Sequence, residues 1–264
     1  MKQRVISAAV AILIAIPFVV YGGVLYALGI GILGILGFRE VLLLNKSHHD
    51  IPFVPSLLAI IAILLIMFTN FNGENFAYGA TYMHLIFTSL ALMIPTLFYK
   101  KVKYTTQDAL YLIGIILFLG MGFNSFILAR DAGLLMFIYL ISIPIITDSA
   151  AMIIGSKIGK HKLCPDISPK KSWEGSIWGS ILGTIIPILL YVLFFGKLSF
   201  NIIIVTLILS VIGQLGDLLF SKIKRENEIK DFSNIMPGHG GILDRLDSMM
   251  VVFMSYVFLA YILL

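Results

Sequence analysis

Asp244 and Asp247, in the run Leu-Asp-Arg-Leu-Asp, are three residues apart and share one face of any helix they begin. Asp217, in Gly-Gln-Leu-Gly-Asp-Leu-Leu-Phe-Ser-Lys, and Asp148, after Ile-Pro-Ile-Ile-Thr, lie within or beside long apolar runs, where a charge is costly and points to function. Several carboxylates with lysines and arginines nearby can hold hard divalent cations and the phosphates those cations bridge. Helix capping is the competing account of Asp244 and Asp247, because an acidic group in a first turn meets the helix dipole favourably.

Three polar segments accompany these carboxylates. In Pro-Gly-His-Gly-Gly, 237 to 241, Gly240 and Gly241 precede a helix start, where free backbone amides hold anions. His239 between the glycines is a general acid or base, a ligand, or a plain loop residue. In Ser-Pro-Lys-Lys-Ser-Trp-Glu-Gly, 168 to 175, Lys170 and Lys171 add positive charge beside Trp173 and Glu174. Lysine pairs and tryptophan are also ordinary membrane anchors, which accounts for all but Glu174. The run 222 to 231, KIKRENEIKD, mixes signs at helical spacing. It is either a solvated helix or, through Lys224, Arg225 and Lys230, a seat for a polyphosphate or an anionic headgroup. Residues 221 to 248 alone hold ten of the chain's 33 formally charged residues. With no Walker-type loop, Ser-His-Asp grouping or zinc motif in the sequence, these residues suggest metal-assisted work on phosphates.

The elements that must position these groups are built for lipid. The chain has 264 residues, 59% of them hydrophobic and 12% charged, a balance that excludes an ordinary soluble domain. Nine runs approach the length of about 20 apolar residues needed to cross a bilayer. They fall at 4 to 21, 22 to 44, 52 to 69, 82 to 99, 108 to 128, 133 to 155, 174 to 195, 200 to 220 and 243 to 264. The expected fold is all-α, a polytopic membrane protein with about nine transmembrane helices. The first two runs meet at Tyr21-Gly22-Gly23, so eight is the alternative count. The start Met-Lys-Gln-Arg suits a signal peptide, but the apolar stretch continues without a processing site, and it reads as a retained helix. One cysteine, Cys164, excludes an internal disulfide.

Loop charge orients the spans. With the N-terminus cytoplasmic, 17 of the 19 basic residues fall inside and only Arg130 and Lys197 outside, whereas eight spans would break this alternation. The loop with Asn70, Asn72, Glu74 and Asn75 then lies outside, and Lys46 lies on an inner loop. The chain reads as a single membrane domain, with 1 to 140 mainly a helical scaffold and 144 to 248 a catalytic half. Gly29, Gly31, Gly34 and Gly37 either permit close helix contact or reflect the commonness of glycine in membrane helices.

Ser221 to Asp231 reads S-x-I-K-R-x4-K-D, and Pro237 to Ser248 reads P-G-H-G-G-I-L-D-R-L-D-S. Together they resemble the signature of phosphatidate cytidylyltransferases, also called CDP-diacylglycerol synthases. Ser168 to Gly175 is similar to the family's S-P-K-K-T-x-E-G, with Ser172 in place of threonine, and Gly216 to Ser221 is similar to its G-D-L-x-x-S. Met236 stands where a branched aliphatic is usual. The resemblance covers 144 to 248.

It implies that CTP and phosphatidic acid give CDP-diacylglycerol and pyrophosphate, with Mg2+, in a homodimer of the cell (inner) membrane whose site faces the cytoplasm. It also implies membrane lipid and no nucleic acid as partner. On this reading Asp217, Asp244 and Asp247 hold metal, two ions with room for a monovalent one, and Asp148 is a fourth ligand or supports the others. Lys170 and Lys171 meet nucleotide phosphates; Lys224, Arg225 and Lys230 meet the triphosphate or lipid phosphate; Arg245 meets the leaving pyrophosphate. His239 donates to phosphate, and Ser168, Glu174, Ser221, Asp231, Gly240 and Gly241 complete the substrate contacts. A secondary transporter and a CTP-dependent lipid or polyprenol kinase are the alternatives. The first would place its polar groups near mid-membrane rather than at inner helix ends.

Overall fold

The computed structural model describes residues 2–44, 51–69, 78–100, 103–236, 238 and 240–263. Lys46, Asn70, Asn72, Glu74, Asn75, Lys101, Pro237 and His239 lie outside the described residues. Among those described there are nine α-helices: α1 Lys2–Tyr21, α2 Gly23–Leu44, α3 Phe53–Met67, α4 Tyr78–Met93, α5 Thr106–Asp131, α6 Leu134–Ile158, α7 Trp173–Phe195, α8 Phe200–Glu226 and α9 Leu243–Leu263. Six of them, α2 and α5 to α9, are long and apolar enough to cross a membrane by length and composition. A two-stranded antiparallel hairpin, β1 Lys162–Cys164 and β2 Ser168–Ser172, departs from the purely helical expectation. The chain forms two compact units, Met1–Asp131 with Phe232–Leu243, and Ala132–Asp231 with Asp244–Leu264.

In the first unit α5 packs against α2, α3 and α4, and Leu112, Ile116, Leu119, Phe123 and Ile127 are fully buried at helical spacing. Its start is a capping box: Thr105 Oγ1 accepts from the Asp108 amide (3.2 Å), and Asp108 Oδ2 accepts from the Thr105 amide (2.7 Å). The junction of α1 and α2 settles whether two helices or one run through Tyr21. Gly22 and Gly23 take φ of 67° and 55°, a left-handed break that ends α1. Arg130 donates from Nε to the Val19 carbonyl (2.6 Å) and from Nη2 to that of Val20 (3.0 Å), satisfying the last carbonyls of α1. The α2 glycines are hollows for large side chains: Gly31 faces Phe68, Gly34 faces Met67, and Gly37 faces Phe123 and Leu243.

In the second unit the contact between α6 and α7 is of a closer kind. Thr147, Ala151 and Gly155 on α6 meet Gly183, Gly179 and Gly175 on α7, small residues spaced by four on both helices. A Cβ on Gly179 would stand 2.9 Å from the Thr147 carbonyl oxygen, and one on Gly183 would overlap Thr147 Oγ1. With no hydrophobic drive between helices in lipid, such stripes and interhelical hydrogen bonds hold the bundle. Thr147 Oγ1 bonds Ser210 Oγ (2.7 Å), Tyr139 Oη bonds Thr206 Oγ1 (2.7 Å), and Gln214 Nε2 donates to Ser180 Oγ (2.8 Å). Gly183→Leu should therefore overpack the seam and cost about 1–3 kcal/mol or more. A lower denaturation midpoint in detergent is the expected reading, with Gly114→Leu unaffected because a Cβ on Gly114 meets nothing within 4 Å.

Candidate active site

Four elements of the second unit bring a subset of its ionisable groups together. Asp217, Ser221 and Lys224 recur at i, i+4 and i+7 on α8 and so form one ladder. Asp244, Asp247 and Ser248 form a second along the start of α9. The two helices approach closely because α8 offers Gly213 and Gly216 to Val252 and Val251 of α9; a Cβ on either glycine would stand 2.9 Å from the valine. Asp148 comes from α6 and Lys171 from β2.

Lys171 Nζ lies 2.5 Å from Asp217 Oδ2, and Ser221 Oγ donates weakly to Asp217 Oδ1 (3.4 Å). Lys224 Nζ donates to Asp244 Oδ1 at 2.6 Å, with the two side chains 10% and 3% exposed. The Ser248 amide donates to Asp247 Oδ1 (2.7 Å), and its hydroxyl bonds the Asp148 carboxylate. Asp148, Asp217 and Asp247 lie within electrostatic range of one another, Lys171 acts on Asp148, and Lys224 acts on Asp247. Three carboxylates from three helices, plus Asp244, thus face two lysines, leaving a formal excess of two negative charges.

That donor set is all hard oxygen with an anionic excess, which fits a divalent cation such as Mg2+. It is not closed around a point: among the described residues no three histidine, cysteine, aspartate or glutamate side chains are grouped as metal ligands. Lysine ammonium groups occupy Asp217 and Asp244 instead.

The remaining expected residues are distributed differently. Lys170 and Lys171 are neighbours in β2 and point to opposite faces, so only Lys171 joins the aspartates. Ser168 pairs with Cys164 at the turn of the hairpin. Ser172 caps α7, accepting from the Gly175 amide at 3.2 Å, which explains why a hydroxyl suffices there in place of threonine. Glu174 accepts from the Lys160 amide (3.1 Å) and binds His161 Nδ1 (2.7 Å), so it locks the loop ahead of the hairpin. Arg225 donates to the Ile167 (3.4 Å) and Ile229 (3.0 Å) carbonyls, bracing the hairpin turn and the end of α8. Lys230, Asp231 and Arg245 are exposed.

The glycine segment belongs to the first unit. Gly240 has φ of +82°, and its carbonyl accepts from the Met236 amide at 3.0 Å. The helix-start amides expected to meet a phosphate already have an anion: Glu40 of α2 accepts from Ile242 N (2.8 Å) and Leu243 N (3.0 Å). Glu40 follows Arg39 between two apolar runs, and nothing in its surroundings in sequence signals partners some 200 residues away.

Compared with known proteins, the sequence matches the cytidylyltransferase family over residues 2–263. It is 38% identical over 255 residues to a phosphatidate cytidylyltransferase of Staphylococcus haemolyticus, covering 96% of both chains. Proteins of the same name from Staphylococcus aureus and Staphylococcus epidermidis are 36% and 35% identical over the same share.

Proposed function

The chain belongs to the cytidylyltransferase family, and on that premise we propose that it transfers CMP from CTP to phosphatidic acid, releasing pyrophosphate and forming CDP-diacylglycerol. The observation that carries the reading is the convergence of Asp148, Asp217 and Asp247 from three helices beside Lys171 and Lys224.

In the reaction a phosphate oxygen of the lipid forms a bond to the α-phosphorus of CTP, and the bond from that phosphorus to the β-phosphate bridging oxygen breaks. Pyrophosphate leaves with the electron pair. The attacking phosphate is already largely ionised at neutral pH, so no strong base is needed, and His239 serves as a donor to phosphate. What must be overcome is repulsion between two polyanions. Lys171 and Lys224 lessen it in this proposal by turning from their carboxylates towards phosphate oxygens.

Asp217, Asp247 and Asp148 are the residues that would hold Mg2+, one ion or two, with Asp244 engaged through Lys224. When bound, the ion supplies charge neutralisation at the α-phosphate and the leaving pyrophosphate. Lys230, beyond the end of α8, and Arg245, in the first turn of α9, are both exposed and suit the triphosphate and pyrophosphate. Nine crossings, a cytoplasmic site on the inner membrane and a homodimer complete the proposal, supported by loop charge and by the family resemblance.

A related kinase would use similar nucleotide contacts but move the γ-phosphate. Purified protein in detergent, given phosphatidic acid and CTP labelled at either position, separates the two. Label at the α position should enter the lipid and label at the γ position should not; the reverse would refute the proposal.

A further inference from the structure

We infer that Glu40 is a positioning residue for this reaction: its buried carboxylate is the resident anion at the start of α9 and fixes the Ile242 and Leu243 amides from which that helix begins. The inference rests on the proposed function for its effect on turnover, though not for the contacts themselves.

Glu40 is 1% exposed near the end of a helix whose only other charged residue is Arg39, and an unsatisfied carboxylate there would be prohibitive. Among the described residues, donors from the segment after α8 and from the start of α9 reach it. Ser233 Oγ donates to Oε1 (2.6 Å), the Ile242 amide donates to Oε1 (2.8 Å), and the Leu243 amide donates to Oε2 (3.0 Å). The carboxylate thus ties both ends of the segment 233 to 243. It takes the place at a helix N-terminus that a ligand anion would otherwise fill.

Gly241 is shaped to the same group. A Cβ there would stand 2.5 Å from Glu40 Oε1, while its φ lies outside the left-handed region that demands glycine. The glycine is therefore required by the carboxylate and not by the backbone. Leu243 is followed directly by Asp244, so the amides that Glu40 holds fix where the helix bearing Asp244 and Asp247 begins. Substrate phosphate thus finds the Ile242 and Leu243 amides already taken.

Glu40→Gln keeps the shape but offers one acceptor where two oxygens serve Ser233, Ile242 and Leu243, and it turns an NH2 towards an amide. It should lower kcat by roughly 10- to 100-fold, as loss of an orienting partner does elsewhere, with KM for CTP within about threefold. Hydrogen exchange over residues 240–246 should be slow in the native protein and fast in the variant, a readout that needs no turnover. Gly241→Ala should lose activity similarly. Glu40→Asp, one methylene shorter, should restore part of it in the double variant Glu40→Asp/Gly241→Ala, a coupling that a general loss of stability would not produce. Unchanged exchange and kcat in folded Glu40→Gln, a loss confined to KM for CTP, or a double variant no better than the product of its singles would overturn the inference. Native protein that fails to label lipid would instead sink the proposed reaction, leaving the exchange result to judge Glu40 alone.

Discussion

Asp217→Asn is expected to abolish transfer of α-labelled CMP to phosphatidic acid, by roughly 10^3-fold in kcat, while the protein still elutes normally in detergent. The magnitude matches the removal of one preorganised charge-stabilising group from an enzyme site. Asp217 is the hub of the cluster: it pairs with Lys171, accepts from Ser221, and acts on both Asp148 and Asp247. Asparagine preserves its volume, and the aspartate side chain is 28% exposed, so the fold should tolerate the change. What is lost is a full negative charge at the place proposed for Mg2+, together with the partner that holds Lys171 inward. Labelled-CTP kinetics beside size-exclusion elution makes the check, and activity within tenfold of native would remove Asp217 from the chemistry.

The second large effect concerns stability as well as activity. Lys224 and Asp244 form an ion pair with almost no solvent. Lys224→Met leaves Asp244 charged and buried without its ammonium partner, which typically costs about 3–5 kcal/mol. Asp244→Asn added to it removes the stranded charge. The double variant Lys224→Met/Asp244→Asn should thus recover much of the denaturation midpoint lost by Lys224→Met, yet remain inactive. A double variant no more stable than the single would show that the pair is not what holds these two helices; recovered activity would show that neither group serves the reaction.

Much of the helical layout was legible because the length of an apolar run fixes a membrane helix almost unaided. The run at 174 to 195 became Trp173–Phe195, and the doubtful junction at Tyr21 became two helices, α1 and α2. Where the reading stopped short, the signal was local but faint. α8 runs on to Glu226, carrying Ser221, Lys224 and Arg225 on helix, because KIKRE consists of good helix formers with Lys222 and Glu226 paired at i, i+4. The hairpin is not legible in the sequence because its five-residue strand holds Pro169 and two lysines and shows no apolar alternation. The stripe Gly175, Gly179 and Gly183 could have been found by its spacing of four, which the more conspicuous glycines of α2 lack.

By itself, then, the sequence determined a bundle of apolar helices, the family, and the few polar residues that a membrane would not carry without use. Those properties reside in composition, in run length and in motifs of contiguous residues. Only the tertiary structure decided that Lys171 and not Lys170 meets the aspartates, because adjacent residues in a strand face opposite ways and the strand itself was not legible. It decided that Asp148 stands with Asp217 and Asp247, and that Asp244 is paired with Lys224. It also brought Glu40 to amides some 200 residues away. Such pairings depend on which helices the small residues allow to touch, a property of whole packed surfaces that no stretch of chain displays alone.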